Sequence, residues 1–372
     1  MAKFLGTSDT YVAGQLTLPK KYYTSEKIFE KEKKNIFNGW ICAGHISKIP
    51  NAGDYFLFKI FDENMIIVRN KKGEVNALYN VCRHRGTVVC QNESGNGKSF
   101  QCPYHAWTYD LDGKLIGAPF MKDVVGFDFK EHPLGSAPVY VWQGYIFISL
   151  NDKPKPFEKQ YKELFGRFDK WKMGEALPYK KEVYETQTNW KYVFQNFNEC
   201  YHCPTAHPLL NSRIEYTGSM NDLTEGIILG GYFDIKAESM TGSGMFSALP
   251  FSDLGSDINR AYYYTVVPNL LLNIHPDYVM YHLVTPISHN RTVVTSEWLF
   301  NKDAFGRDDF HPEDAYDFWH LTNKQDWDLT KIAQLGVVSK AYKRGWYSPR
   351  ESLLEAFDRY YLKVMSPKKK DK

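Results

Sequence analysis

Cysteine is scarce in this chain: six among 372 residues, at positions 42, 82, 90, 102, 200 and 203. So few cannot scaffold a chain of this length with disulfides, and a cluster among them points instead to metal binding or chemistry. Charge of one sign is also lacking. The 46 basic and 43 acidic residues leave a net charge of +3, which offers no electrostatic footprint for nucleic acid. The run Lys368–Lys370 reads as a solvated tail. No stretch approaches the roughly 18 continuous apolar residues of a membrane span. The first residues hold no basic segment followed by an apolar run of roughly 7–15. A soluble, cytoplasmic protein with no membrane association is therefore expected. A Gly-rich dinucleotide fingerprint is missing, as is any flavin-binding pattern, so no dinucleotide-binding site of the chain's own is expected.

Aromatic residues are abundant at 16%, with 26 Tyr, 24 Phe and 9 Trp. Such a composition suits large β-sheets and large apolar pockets, and a β-rich core accounts for most of it. The length is comfortable for two domains. Across residues 21–41, Ile28, Phe29, Ile36, Phe37 and Trp40 recur at roughly helical spacing, with Glu32 as a charged spacer, predicting a helix. From about Ile41 to Leu150, short apolar runs alternate with turn formers: Tyr55–Ile60, Met65–Arg69, Val75–Tyr79 and Val139–Leu150. This predicts a small antiparallel β-domain.

Asn151–Pro156 is a plausible boundary. Beyond it a helical stretch is expected at Glu158–Lys172, and strands at Glu182–Gln187, Gly226–Ala237, Ala261–Leu272, Tyr278–Ile287 and Thr292–Asn301. Helices are expected at Pro312–Leu335 and Pro349–Val364. The predicted class is α+β: an N-terminal helical segment (1–40) packing on the last domain, a small β-domain (41–150), and a larger domain (151–372) with an antiparallel sheet.

Two constellations carry chemistry. The first is Cys82-Arg-His84, then, after 17 residues, Cys102-Pro-Tyr-His105. Thiolates and imidazoles together suit an iron–sulfur cluster or zinc. One Cys and one His in each half allow both cysteines to bind one iron and both histidines the other, whereas the competing reading is a structural Cys2His2 zinc site. Gly95 and Gly97 are expected to form tight turns beneath a cluster. Cys42 and Cys90 read as ordinary buried thiols.

The second is Asn189–Pro208, with His202 and His207 five apart. A helix over 190–202 would put Glu199 and His202 on one face, ending near Cys203 because of Pro204. His207 would then approach from the next turn. Two imidazoles need a carboxylate to complete an oxygen-activating iron(II) site. Lone histidines are more often satisfied structural residues, and His45, His132, His275 and His282 are placed in that class.

Cys82-Arg-His84-Arg85-Gly86 and Cys102-Pro-Tyr-His105-Ala-Trp107, followed by Tyr109 and Asp112-Gly113, resemble the Rieske domain of ring-hydroxylating-type oxygenases. Ala106 departs from the glycine many relatives carry. The second motif resembles the same family, and the resemblance runs from about Leu18 to Leu362. It implies a [2Fe–2S] cluster on Cys82, His84, Cys102 and His105, and a helix-grip catalytic domain with a mononuclear Fe(II) on His202, His207 and a distant aspartate. Asp326, eight residues before Gln334, matches that position, and Asp328 is the alternative. Glu199 occupies the place of the acidic residue that bridges the iron's His to a Rieske His of a neighbouring subunit. Asn196 is expected close to the iron.

The family resemblance further implies a homotrimer, since the two metals of one chain lie too far apart for direct transfer. It also implies a partner reductase, NAD(P)H-dependent and carrying flavin or iron–sulfur centres. The expected activity is terminal oxygenation of a small organic substrate with O2. Asn196–Pro204 and Pro268–Asp277 look most like the branch acting on quaternary ammonium compounds (choline, carnitine, glycine betaine, stachydrine), by monooxygenation or N-demethylation. Cage candidates are Tyr262, Tyr263, Tyr264, Tyr278, Tyr281, Phe246 and Trp298, with at most some of 262–264 on one face. The alternative is hydroxylation or cis-dihydroxylation of an aromatic compound. A non-catalytic Rieske electron carrier is disfavoured by the second motif.

Overall fold

In the computed structural model, residues Lys3–Ser366 are described, and the lysine run at 368–370 lies outside them. The described residues form two compact units. One comprises Asn38–Phe157, the other the residues up to Phe37 together with those from Glu158 onward. No helix among the described residues is long and apolar enough to cross a membrane.

The smaller unit consists of antiparallel sheets. The largest has five strands, in the order Ser136–Ala137, Val75–Tyr79, Glu63–Arg69, Asp54–Ile60 and Ser94–Asn96. The expected run Val139–Leu150 is instead a hairpin, Val139–Trp142 against Tyr145–Ser149. Gln143 and Gly144 sit between them at φ 46° and 84°, the two positive values that a tight hairpin turn matching strand twist requires. The third strand of that sheet is Trp40–His45. Trp40 therefore starts a strand, because the helix before it ends at Asn35 and the chain turns at Asn38-Gly39.

The larger unit is built on one eight-stranded antiparallel sheet. Its order is Leu5–Gly6, Met220–Leu223, Ile228–Asp234, Arg260–Val266, Leu270–Ile274, Tyr278–Ser288, Arg291–Phe300 and Leu177–Thr186. The apolar run Ala261–Leu272 contributes two strands rather than one, since Pro268 lacks the N–H that a continuous ladder needs. Four helices matter for the site: α1 (Glu26–Asn35), α2 (Trp190–Phe197), α3 (Pro312–Val337) and α4 (Ser352–Met365). The helix expected over 158–172 is reduced to one turn at Phe157–Gln160 and short 3-10 turns, the last reversing at Lys172 with φ 41°. The class is α+β, a β-rich small unit and a sheet-and-helix large one, with no closed barrel among the described residues.

Side-chain alternation gives the sheet two faces. On one, Ala261, Tyr263, Asn273, Met280 and His282 follow one another through the register pairs Tyr263–Asn273 and Asn273–Met280. The other carries Tyr262 and Tyr264, which pack on Trp171 and Phe168.

Glu32, read from sequence as a polar spacer, is fully buried. Its carboxylate accepts from Lys191 Nζ at 2.6 Å, Trp190 Nε1 at 2.9 Å and Tyr361 Oη at 2.5 Å. One side chain thus ties α1 to α2 and α4. Glu32→Ala should lower stability by about 3–5 kcal/mol, because it strands a buried ammonium. Glu32→Ala combined with Lys191→Met should lose less than Glu32→Ala alone. Denaturant unfolding of the two variants checks this, and an equal or larger loss in the double variant would contradict it.

Candidate metal centres

Two matching loops build the first centre. The Cys82 N–H donates to Thr87 O at 2.8 Å and its carbonyl accepts from Gly86 N at 3.0 Å. Likewise the Cys102 N–H donates to Trp107 O at 2.8 Å and its carbonyl accepts from Ala106 N at 3.1 Å. Each loop closes through a left-handed residue, Gly86 at φ 74° and Ala106 at φ 57°. Ala106 holds the conformation that glycine adopts without steric cost. The tight turns thus fall at residues 86 and 106. Gly95 lies instead in the strand Ser94–Asn96 opposite Tyr55, where an added Cβ would meet the ring hydroxyl at 3.0 Å.

Both thiols are buried, while His84 and His105 are exposed, their rings edge to face with centroids 4.6 Å apart. The Tyr109 hydroxyl accepts from Arg83 N at 3.0 Å and shares a hydrogen bond with Cys82 Sγ at 3.4 Å. Trp107 stacks on the His84 ring. Burial pushes the Cys102 thiol up and the His84 imidazole down, which favours neutral forms until a metal compensates. This donor set has a buried sulfur end and an exposed nitrogen end. That fits a [2Fe–2S] cluster with one iron at each end.

The second centre begins at α2. Asn189 caps it, its side chain accepting from Lys191 N at 3.1 Å, and its own N–H donates to Gln334 Oε1 on α3 at 3.0 Å. The helix stops at Phe197, not at 202, where Asn198 Nδ2 bonds back to Phe194 O at 2.7 Å. Glu199 and His202 therefore meet through a turn. The Glu199 carboxylate accepts from the N–H groups of Tyr201 and His202 and from His202 Nδ1 at 2.5 Å. Pro204 opens a new helical turn, Cys203–Ala206, rather than closing the old one, since a first-turn N–H needs no partner. His207 stands between that turn and the next, Pro208–Arg213.

His202, His207 and Asp326 converge, with one ligand atom of each within 4.8 Å of the others. Asp326 Oδ1 lies 2.9 Å from His207 Nε2 and 3.3 Å from His202 Nε2, and accepts from Asn196 Nδ2 at 3.0 Å. Asp328, two residues along α3, is exposed. The Nδ1 of His207 is held by Gln325 Oε1 at 2.8 Å. Burial opposes charge on both imidazoles, but hydrogen bonds to Asp326 and Glu199 outweigh it and hold His202 up at about 10. His207 is raised in the same way by Asp326. Burial likewise opposes the Asp326 carboxylate, yet bonds from the two imidazoles keep it well below the usual range. Two imidazoles presenting Nε2 to one carboxylate oxygen, each with Nδ1 already engaged, fit a divalent iron.

A cavity reaches these three residues. Its aromatic wall includes Phe197, Phe233, Trp319 and Trp327, none singled out from sequence, with Tyr263; Tyr262 borders it, but its ring packs on Trp171 on the other face of the sheet. Among the other cage candidates, Tyr281 donates to Glu297 at 2.6 Å and Trp298 packs on Tyr316. His275 and His282, placed from sequence among structural histidines, also line it. His282 shares the sheet face of Asn273, and His275 directly follows the strand Leu270–Ile274. The sulfurs of Cys200 and Cys203 are joined as a disulfide flanking His202, a pairing that the low cysteine count gave no reason to expect.

Residues 39–129 match the model of the Rieske [2Fe-2S] domain, and residues 169–367 that of the ring hydroxylating alpha subunit catalytic domain. The glycine betaine monooxygenase oxygenase subunit of Chromohalobacter salexigens is 32% identical over 374 residues, covering 90% of this chain and 82% of that protein. The carnitine monooxygenase oxygenase subunit of Acinetobacter pittii is 38% identical over 203 residues, 52% of this chain and 53% of that protein. Among solved structures, the quaternary ammonium Rieske monooxygenase CntA in complex with an inhibitor superimposes with a TM-score of 0.82 at 25% identity, over 98% of this chain and 100% of that one.

In the metal-free protein, His202 keeps its proton up to about pH 10, and a metal must displace it. Iron(II) affinity should therefore rise with pH, by about tenfold per unit for each proton released, between about pH 6 and about pH 8. Titration of chelator-stripped protein in weak buffer should show proton release on iron binding, and a pH-independent affinity without release would contradict the site.

Proposed function

Because the chain belongs to the Rieske-type ring-hydroxylating oxygenases, we propose that it is the oxygenase component of a multicomponent monooxygenase for a small quaternary ammonium compound, with electrons supplied by a separate NAD(P)H-dependent reductase. The relatives named glycine betaine and carnitine monooxygenase oxygenase subunits support the substrate class. The observation that carries it here is the cavity wall, where aromatic rings surround the approach to His202, His207 and Asp326 and no Lys or Arg of the described residues takes part. A quaternary ammonium has charge but no N–H. It is recognised by ring faces rather than by acceptors.

Cys82, His84, Cys102 and His105 would hold the cluster, and His202, His207 and Asp326 the mononuclear iron. When bound, these groups supply single electrons and activate O2 beside the substrate, so that a methyl carbon is oxidised. The chain supplies the rest. Glu199 and Gln325 engage the Nδ1 atoms of His202 and His207, which fixes the tautomers and leaves Nε2 free as the ligand atom. Asn196 restrains Asp326 by donating to Oδ1. Phe197, beside Asn196, and Trp327, beside Asp326, are ring faces for the methylammonium group, and with the other apolar walls they exclude water.

The same reading extends to assembly as a homotrimer, with His105 of one copy facing Glu199 of the next. Supporting it, an open groove also lined by Tyr192, Lys343 and Glu351 reaches Glu199 and His202 from outside the substrate cavity. Glu199 would then join two imidazoles through its two carboxylate oxygens.

With a suitable reductase, NADH-driven oxygen uptake should be stimulated by glycine betaine, carnitine or stachydrine, with formaldehyde released if a methyl group is lost. Uptake stimulated only by benzoates or other aromatic compounds would contradict the proposal. In the same assay Glu199→Gln should keep the cluster's visible spectrum while losing coupled turnover by about ten- to hundredfold.

A further inference from the structure

His275 follows the strand Leu270–Ile274 and is 1% exposed. Its main chain is fully engaged: its N–H donates to Tyr278 O and its carbonyl accepts from Trp171 Nε1, both at 2.9 Å. Its ring is held in place by two aromatic neighbours, Tyr278 at 4.4 Å and Trp319 at 5.3 Å between centroids. Those neighbours are themselves fixed, since Trp319 Nε1 donates to Tyr278 Oη at 2.6 Å and that hydroxyl donates to Met240 O at 2.5 Å. Yet neither ring nitrogen of His275 has a hydrogen-bond partner. The other imidazole on this wall, His282, is engaged by Ser296 Oγ at 2.6 Å and by Asn273.

A buried, immobilised imidazole with both nitrogens unpaired is costly unless something else completes it. The ring lines the cavity that reaches the metal-binding residues, so a ligand there can complete it. Burial alone holds its pKa down at about 3, so the ring is neutral near pH 7 and offers one N–H donor. Trp319, against which it lies, is seven residues before Asp326 on α3, about 10 Å of helical rise. That leaves room for a short chain with different groups at its ends.

Resting on the quaternary-ammonium reading above, we infer that His275 is a specificity-determining residue that hydrogen-bonds an anionic carboxylate at the end of the substrate away from its methylammonium group. The substrate class narrows accordingly to betaines, zwitterions in which a trimethylammonium and a carboxylate are joined by a short linker. An alcohol of the same length leaves the fixed N–H with a weaker partner, and a hydrocarbon leaves it with none.

The test is anaerobic equilibrium binding to the iron-loaded holoenzyme with a matched pair of ligands, glycine betaine and choline. The wild type should bind glycine betaine more tightly. His275→Phe should weaken glycine betaine by about ten- to hundredfold, the range for losing a hydrogen bond to a charged group, and choline by less than about threefold. His275→Gln, which restores an N–H donor, should recover part of the loss. A wild type without preference for the carboxylate, or variants that leave the betaine-to-choline ratio unchanged, would overturn the inference alone. If His275→Phe does not fold, His275→Gln and His275→Asn are read by the same ratio. Failure of the wild type to bind either compound would overturn the quaternary-ammonium reading together with it.

Discussion

The larger unit depends on one electrostatic constraint, the convergence of two imidazole nitrogens on a single carboxylate oxygen, Asp326 Oδ1. An ionised aspartate in a buried pocket is unfavourable unless it is paired. The pairing is supplied from a segment more than a hundred residues earlier in the chain. His202 and His207 can reach Asp326 only if α2 and α3 are locked side by side. Gln334 makes that lock by accepting from the Asn189 N–H at the α2 cap, and Glu32 ties the same end of α2 to α1 and α4 through Trp190, Lys191 and Tyr361. Nδ1 of each imidazole is then engaged by Glu199 or Gln325, so the orientation of each ring is set before any metal arrives.

The same pattern of fixed backbone and unfinished side-chain bonding recurs elsewhere. In the smaller unit, two loops of like hydrogen bonding hold two thiols inside and two imidazoles outside. In the cavity, His275 is fixed at its main chain and packed against two aromatic rings but left without a partner at either nitrogen. At each of these places, the scaffold has met the entropic cost of ordering the groups, and the bonding they lack is what a metal or ligand supplies. This links a fold built from ordinary sheet pairing to a site that selects for particular chemistry.

Much of this was legible in the sequence for identifiable reasons. Cys82-Arg-His84 and Cys102-Pro-Tyr-His105 are contiguous, so two short loops are enough to define them. The long apolar runs at 278–287 and 292–301 appear as strands with ends within a residue or so. What failed depended on distant contacts. Glu32 looked like a surface charge because its partners lie about 160 and 330 positions away. The helix over 190–202 looked continuous because nothing local reveals that Asn198 and Glu199 use their side chains to stop it. The lining aromatics came from four separate elements, while the tyrosines at 262–264, conspicuous in sequence, divide between the two faces of the sheet. His275 could not be separated from an ordinary core histidine without knowing that no partner faces it.

The most direct test of the account is the iron content of Asp326→Ala beside that of Asp328→Ala. A two-iron cluster and one mononuclear iron give about three irons per chain. Asp326→Ala should fall to about two while the electron paramagnetic resonance signal of the reduced Rieske cluster is unchanged, and Asp328→Ala should retain about three. An Asp326→Ala protein that keeps its full iron, or an Asp328→Ala protein that loses one, would contradict it.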